Sequence, residues 1–159
     1  MLCSHVPLIK WRDRWREKNQ NFKRYCDILS QYNKVYTWAG HTHQNYSYSF
    51  ANSTKYPALQ NLETIIVGRC IGQIRLNREL FNDGTPNGYM AVEVNGDNVE
   101  WYYKSVGHDR DYQIRAYTPI RTGDGYVKAC IWNYSKGFWS EPEWWENGVK
   151  VGTLEQHKE

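Results

Sequence analysis

The stretch Val35-Tyr36-Thr37-Trp38-Ala39-Gly40-His41-Thr42-His43 decides how the rest of this chain is read. Its first half is a short apolar run that predicts a strand. Its second half sets two imidazoles two residues apart on a turn opened by glycine. Imidazole is the commonest protein ligand for borderline divalent metals, and alternate side chains of a strand-end turn can point at one centre. Taken alone, His-x-His is also compatible with a surface turn carrying two incidental histidines.

The N-terminal run Leu2-Cys3-Ser4-His5-Val6-Pro7-Leu8-Ile9 is apolar and carries a histidine two residues before a proline. Between the two stretches, Phe22, Tyr25, Cys26, Leu29 and Tyr32 recur at three- and four-residue intervals. That is one stripe of an amphipathic helix over 19–33, with Asn19 or Asn21 able to cap its start and Asn33 able to end it. A strand-end His-x-Pro, then a helix, a strand and Gly-His-Thr-His resembles the last two metal motifs of the calcineurin-like metallophosphoesterases.

The resemblance implies a dinuclear site in which His5 and His41 bind one metal and His43 the other. The ions are Mn, Fe or Zn in the intact family, and they clamp a phosphoryl group and generate a hydroxide nucleophile. The family's Asp-x-His, Gly-Asp-x-x-Asp and Gly-Asn-His-Asp/Glu motifs precede the His-x-Pro strand, on which this sequence almost begins. The expectation is therefore a C-terminal fragment without a catalytic residue, inactive alone, holding no metal or adventitious Zn²⁺ at His5, His41 and His43. Gly96-Asp97-Asn98-Val99-Glu100 and Gly107-His108-Asp109 imitate the missing motifs but come in the wrong order, and neither is assigned to metal.

Downstream, Tyr46, Tyr48 and Phe50 alternate with Asn45, Ser47 and Ser49 as a half-buried strand, and residues 51–60 form a polar connector. Leu62 to Cys70 reads as a buried strand. Asp83-Gly84-Thr85-Pro86-Asn87-Gly88-Tyr89, followed by Trp101-Tyr102-Tyr103-Lys104 and Tyr112-Gln113-Ile114-Arg115-Ala116-Tyr117, looks like the C-terminal domain appended to a bacterial subgroup of these phosphoesterases. Asn95-Gly96 and Asn147-Gly148 are two-residue hairpin signals, because both residue types tolerate positive φ. Strands recurring about every ten residues between turn signals suggest an antiparallel sandwich.

Composition narrows the alternatives. Eight Trp and thirteen Tyr in 159 residues exclude a disordered chain and favour strands, whose pleated surface suits flat rings. A net charge of +3 does not call for nucleic acid, although Lys10 to Arg24 interleaves cations with Trp11 and Trp15. The four cysteines lack metal spacing and read as buried free thiols in preference to disulfides. No run reaches the roughly 18 apolar residues of a membrane span, and the first residues do not read as the charged region, apolar stretch and cleavage site of a signal peptide. The localisation stays open; the intact family is periplasmic or secreted.

The fold class expected is α+β and mainly β. Residues 1–60 would be a strand-helix-strand remnant of the metallophosphoesterase αβ sandwich, and residues 61–159 an antiparallel β-sandwich-like domain. Function follows as the C-terminal part of a phosphoric ester hydrolase, with a phosphate ester as substrate of the intact enzyme. The alternative is a binding module for carbohydrate, an envelope component or a partner protein, with Trp139 and Trp144 as candidate stacking residues. Exposed strand edges would favour self-association. Neither nucleic acid nor membrane is expected as a partner.

Overall fold

The computed structural model describes residues 1–8, 20–70, 80–81, 83–134 and 140–156. Its first half is a mixed sheet of β1 (Leu2–Ser4), β2 (Val35–Ala39), β3 (Tyr46–Ser49) and β4 (Leu62–Ile66), in the order β1-β2-β4-β3. β1 and β4 run parallel to β2, and β3 runs antiparallel to β4. Parallel neighbours need crossovers, which is why helix α1 (Gln20–Leu29) lies between β1 and β2 in the chain.

The alternation of side chains explains the layering. Val35, Ala39, Tyr48, Leu62 and Ile66 face a core completed by Leu29, Phe50 and Leu59, with Phe22, Tyr25 and Cys26 of α1 packed against it. Tyr36 and Trp38 point the other way and meet Trp101 edge-on, at ring-centroid separations of 5.4 and 5.9 Å. A sheet covered on both faces requires apolar runs instead of alternation, and all five residues of β4 are buried. Each fully buried Leu or Ile there contributes about 1.5–3 kcal/mol.

The helix stops at Leu29, short of the Asn33 end read from the stripe. Ser30 Oγ and Gln31 Nε2 donate to the Asp27 carbonyl, and Asn61 Nδ2 reaches across from the sheet to the Leu29 carbonyl at 2.9 Å. These bonds take the terminal acceptors that a further turn would have used. Tyr32, expected on the packed stripe, is consequently beyond the helix and exposed. Asn19 and most of the basic segment 10–24 lie outside the described residues.

The second half is antiparallel. β5 (Gly88–Asn95) pairs with β6 (Asn98–Ser105), β7 (Ile114–Tyr117) with β8 (Lys128–Ile131), and β9 (Glu143–Glu146) with β10 (Val149–Thr153). A single-turn helix α2 (Pro119–Thr122) joins β7 to β8. Among the described residues these are three separate two-stranded ladders. The mainly β, α+β class is as expected.

The first hairpin turns one residue later than Asn95-Gly96 suggested. Asn95 pairs with Asn98, leaving Gly96 and Asp97 as the loop, with positive φ at Gly96 alone (60°). Such a turn requires glycine only at its first central position, so the neighbouring Asn95 is free to remain in the ladder. The second hairpin does use Asn147 and Gly148, both at positive φ.

The two halves share contacts. Phe81, Tyr103 and Trp132 form a small core with Val67, just past β4, packed against it. Asn133 Nδ2 donates to the Ile66 carbonyl at 3.1 Å. The sheet bearing the histidines thus continues through β4, past residue 60, with the Phe81–Tyr103–Trp132 cluster at its end and Trp101 of β6 on the face presenting Trp38. All four cysteines are free thiols; Cys3 and Cys70 are exposed, contrary to the buried reading, and Cys26 and Cys130 are half-buried. No helix among the described residues is long and apolar enough to cross a membrane.

Candidate functional site

Because β1, β2 and β4 are parallel, the loops that follow them gather at one edge of the sheet. His5 follows β1, Gly40 to His43 follow β2, and Val67-Gly68 follow β4. The carboxyl ends of parallel strands are where open α/β sheets collect ligands, since the backbone there has left the ladder and side chains can converge.

Backbone bonds tie the three loops together. Gly40 N–H donates to the His5 carbonyl at 3.0 Å, and Val67 N–H to the Ala39 carbonyl at 2.7 Å. Ser4 Oγ donates to the Val6 carbonyl at 2.9 Å, turning the chain at His5. Thr42 N–H closes on the Gly40 carbonyl at 2.8 Å. His41 and His43 both stand in the left-handed region, with φ of 70° and 60°. A residue bearing a Cβ pays about 1–2 kcal/mol for that conformation, and it persists only where the surroundings hold it.

His5 Nε2 and His41 Nδ1 lie 3.3 Å apart, with the rings edge-on at 5.2 Å between centroids. Two nitrogens bound to one tetrahedral ion at about 2.0–2.1 Å stand about 3.3 Å from each other. That separation is a hydrogen-bonding distance between the two rings, and it also matches the spacing of two imidazole ligands on one divalent cation. His43 does not join them in one cluster: among the described residues, no group of three or more His, Cys, Asp or Glu side chains is placed to hold a metal ion. A zinc on all three histidines is not what this geometry offers.

Desolvation in its partly buried position lowers the pKa of His43, helped by the positive charge of Arg69 and by the imidazoles of His41 and His5. A neutral imidazole is the form that binds metal. Arg69 also gives the loop edge a cation suited to an anionic group.

Of the remaining candidates, Trp144 is half-buried on β9, and Trp139 lies outside the described residues. Trp145, next to Trp144 on β9, is exposed, at 55%. Gly96-Asp97 sits at the tip of the β5–β6 hairpin, and His108 stacks on Tyr112 in the second half at 4.1 Å.

Sequence reasoning missed the residues that brace the loop. Asp83 Oδ2 accepts from the Asn45 N–H at 2.8 Å, while Asn45 Oδ1 accepts from the Gly68 N–H at 2.8 Å. Asn45 is buried. The available signal was the dense turn chemistry of Asp83-Gly84-Thr85-Pro86, which marks a defined loop conformation but not its distant contact.

Comparison with known proteins gives one match: residues 76–159 fit the family described as C terminal of Calcineurin-like phosphoesterase. No curated protein and no solved structure matches the chain.

Proposed function

The chain belongs to the calcineurin-like phosphoesterase family through its C-terminal domain, and we propose that it supplies the C-terminal part of a metal-dependent phosphoester hydrolase. In this reading His5 and His41 are two ligands of one divalent ion, and His43 presents its imidazole toward a second. The observation that carries it is the 3.3 Å approach of His5 Nε2 to His41 Nδ1 at the carboxyl end of a parallel sheet. When bound, such ions polarise a phosphoryl oxygen and lower the pKa of water.

The chain's own residues bind and orient. His5 and His41 offer their ring nitrogens from two loops pinned together by the Gly40–His5 backbone bond. Arg69 adds positive charge beside His43, favouring a phosphate ester over a neutral substrate. These residues contain no bridging aspartate, asparagine ligand or catalytic histidine in the family's arrangement, so in this reading hydrolysis uses groups outside residues 1–159. We place the division between the catalytic portion and the C-terminal domain after β4, where pairing with β2 ends.

A Co²⁺ titration followed by its visible absorption tests this. The expected result is one ion bound with an imidazole signature, lost in His5→Ala and in His41→Ala and retained in His43→Ala. The chain alone should leave p-nitrophenyl phosphate unhydrolysed. Metal-dependent turnover unaffected by His5→Ala would overturn the reading.

The exposed apolar side chains of the β9–β10 hairpin favour a second role in binding a carbohydrate or a partner protein. Trp145, Val149 and Val151 are each more than half exposed there. Binding on a glycan array that is abolished by Trp145→Ser would support it; indifference to that change would remove it.

A further inference from the structure

Asn45 lies two residues after His43, and its backbone N–H points out of the sheet into the second half of the molecule. There it meets the Asp83 carboxylate, whose Oδ2 accepts at 2.8 Å while Oδ1 accepts from the Thr85 N–H at 3.0 Å. The carboxylate is thus held at both oxygens, one within its own loop and one on the histidine turn. Hydrogen bonds to an ionised acceptor are roughly twice as strong as neutral ones.

Asp83 itself is immobilised. Phe81 N–H donates to the Thr85 carbonyl at 2.8 Å, Gly84 N–H to the Phe81 carbonyl at 3.1 Å, and Cys130 Sγ–H to the Asp83 carbonyl at 3.0 Å. The Phe81 ring is buried and packs so closely on Gly68 that a Cβ there would lie 2.6 Å from it. Gly68 in turn donates to Asn45 Oδ1. The path from Phe81 through Gly68 and Asn45 to Asp83 is a closed ring of contacts around the end of the histidine turn.

That turn needs such a brace, because His41 and His43 occupy left-handed conformations that the local chain does not favour. We propose that Asp83 is a positioning residue for the histidine turn: its carboxylate, through the Asn45 amide, fixes where His41 and His43 present their imidazoles. As a role in metal binding, this rests on the reading of His5 and His41 as ligands. It makes the C-terminal domain a support of the metal loop in addition to an appended module. Outer groups that orient metal ligands typically change affinity by about 10–100-fold when removed.

The test uses the full chain in wild-type, Asp83→Asn and Trp132→Phe forms. Asp83→Asn leaves a single acceptor oxygen for the two N–H groups of Asn45 and Thr85 and sets an amide donor against the other. Trp132→Phe removes the indole N–H bond to the Tyr112 carbonyl and keeps every hydrogen bond of the turn and of Asp83. In the metal-free protein, ¹H–¹⁵N heteronuclear NOE values at residues 41–44 should fall in Asp83→Asn and stay at wild-type levels in Trp132→Phe. Co²⁺ affinity should drop about 10–100-fold in the first variant and hold in the second. Unchanged NOE values in Asp83→Asn, or an equal fall in both variants, would overturn the proposal. Should Asp83→Asn not fold, Asp83→Ser keeps an acceptor for Thr85 but does not reach Asn45, and is measured in its place. Absence of Co²⁺ binding in the wild type would sink the metal-site reading, while the NOE comparison still decides whether Asp83 holds the turn.

Discussion

All five residues of β4 are buried, whereas of the sixteen in β5 and β6 only Gly88, Tyr103 and Ser105 are. The sheet shares its burial among many aliphatic and aromatic neighbours, so a lost contact is partly absorbed by the next. The ladders hang on a few large anchors. Trp132 donates its indole N–H to the Tyr112 carbonyl at 2.7 Å, and the Tyr103 hydroxyl donates to the Pro86 carbonyl at 2.7 Å. The lesson is that single-site sensitivity follows how burial is distributed, not how much regular structure surrounds the site.

Trp132→Ala should be the most damaging substitution, costing about 3–5 kcal/mol because it empties the centre of a three-residue core and orphans the Tyr112 carbonyl. Urea unfolding followed by near-ultraviolet circular dichroism reads this directly; a loss under about 1 kcal/mol would mean the ladders do not depend on that anchor.

Gly88→Ala comes next. Its Cβ would lie 2.3 Å from the Lys104 carbonyl oxygen and 2.7 Å from the Tyr103 ring, forcing β5 away from β6. Overpacking of this kind costs about 1–3 kcal/mol. Hydrogen exchange should show the β5–β6 amides deprotected while those of β2 and β4 keep their protection.

Ile65→Val removes one methyl from a fully buried position in the sheet and should cost only about 0.5–1.5 kcal/mol. A cost as large as that of Trp132→Ala would erase the contrast between the two regions.

The smallest effect concerns pH. Burial raises the Cys130 thiol from 9.0 to about 11, with the Asp83 charge adding to it, and burial raises the Tyr103 phenol as well. Both groups are neutral in the folded state and ionise more readily unfolded, so the unfolded chain binds fewer protons as pH rises. The Cys130 contribution is complete below its unfolded pKa and shrinks between about pH 9 and pH 11, while that of Tyr103 begins to shrink only above 10.0. The unfolding midpoint should decline across that window, and less steeply in Cys130→Ala.

Local patterns carried most of the fold. The run Val35 to Trp38, the Phe22-Tyr25-Cys26-Leu29 stripe and the alternation at Tyr46 and Tyr48 each lie within one element, and each became that element, with Phe50 one residue past the strand. The helix end was not legible because Asn61, distant in sequence, takes the Leu29 carbonyl. The approach of His5 to His41 followed from a resemblance and not from spacing, since 36 residues separate them. The bond from Asn45 to Asp83 spans 38 residues and left no periodic trace, because a polar residue at a strand start reads as solvent-facing.

That same span has a consequence for biosynthesis. A chain is made from its N-terminus, so β1, α1 and β2 emerge well before Asp83 and Cys130. Until they arrive, the Asn45 amide has water for a partner, and Asn133 has yet to reach Ile66. A nascent chain interrupted before residue 83 has the histidines but not the carboxylate that accepts from Asn45, so that bond forms only once part of the second half has been made.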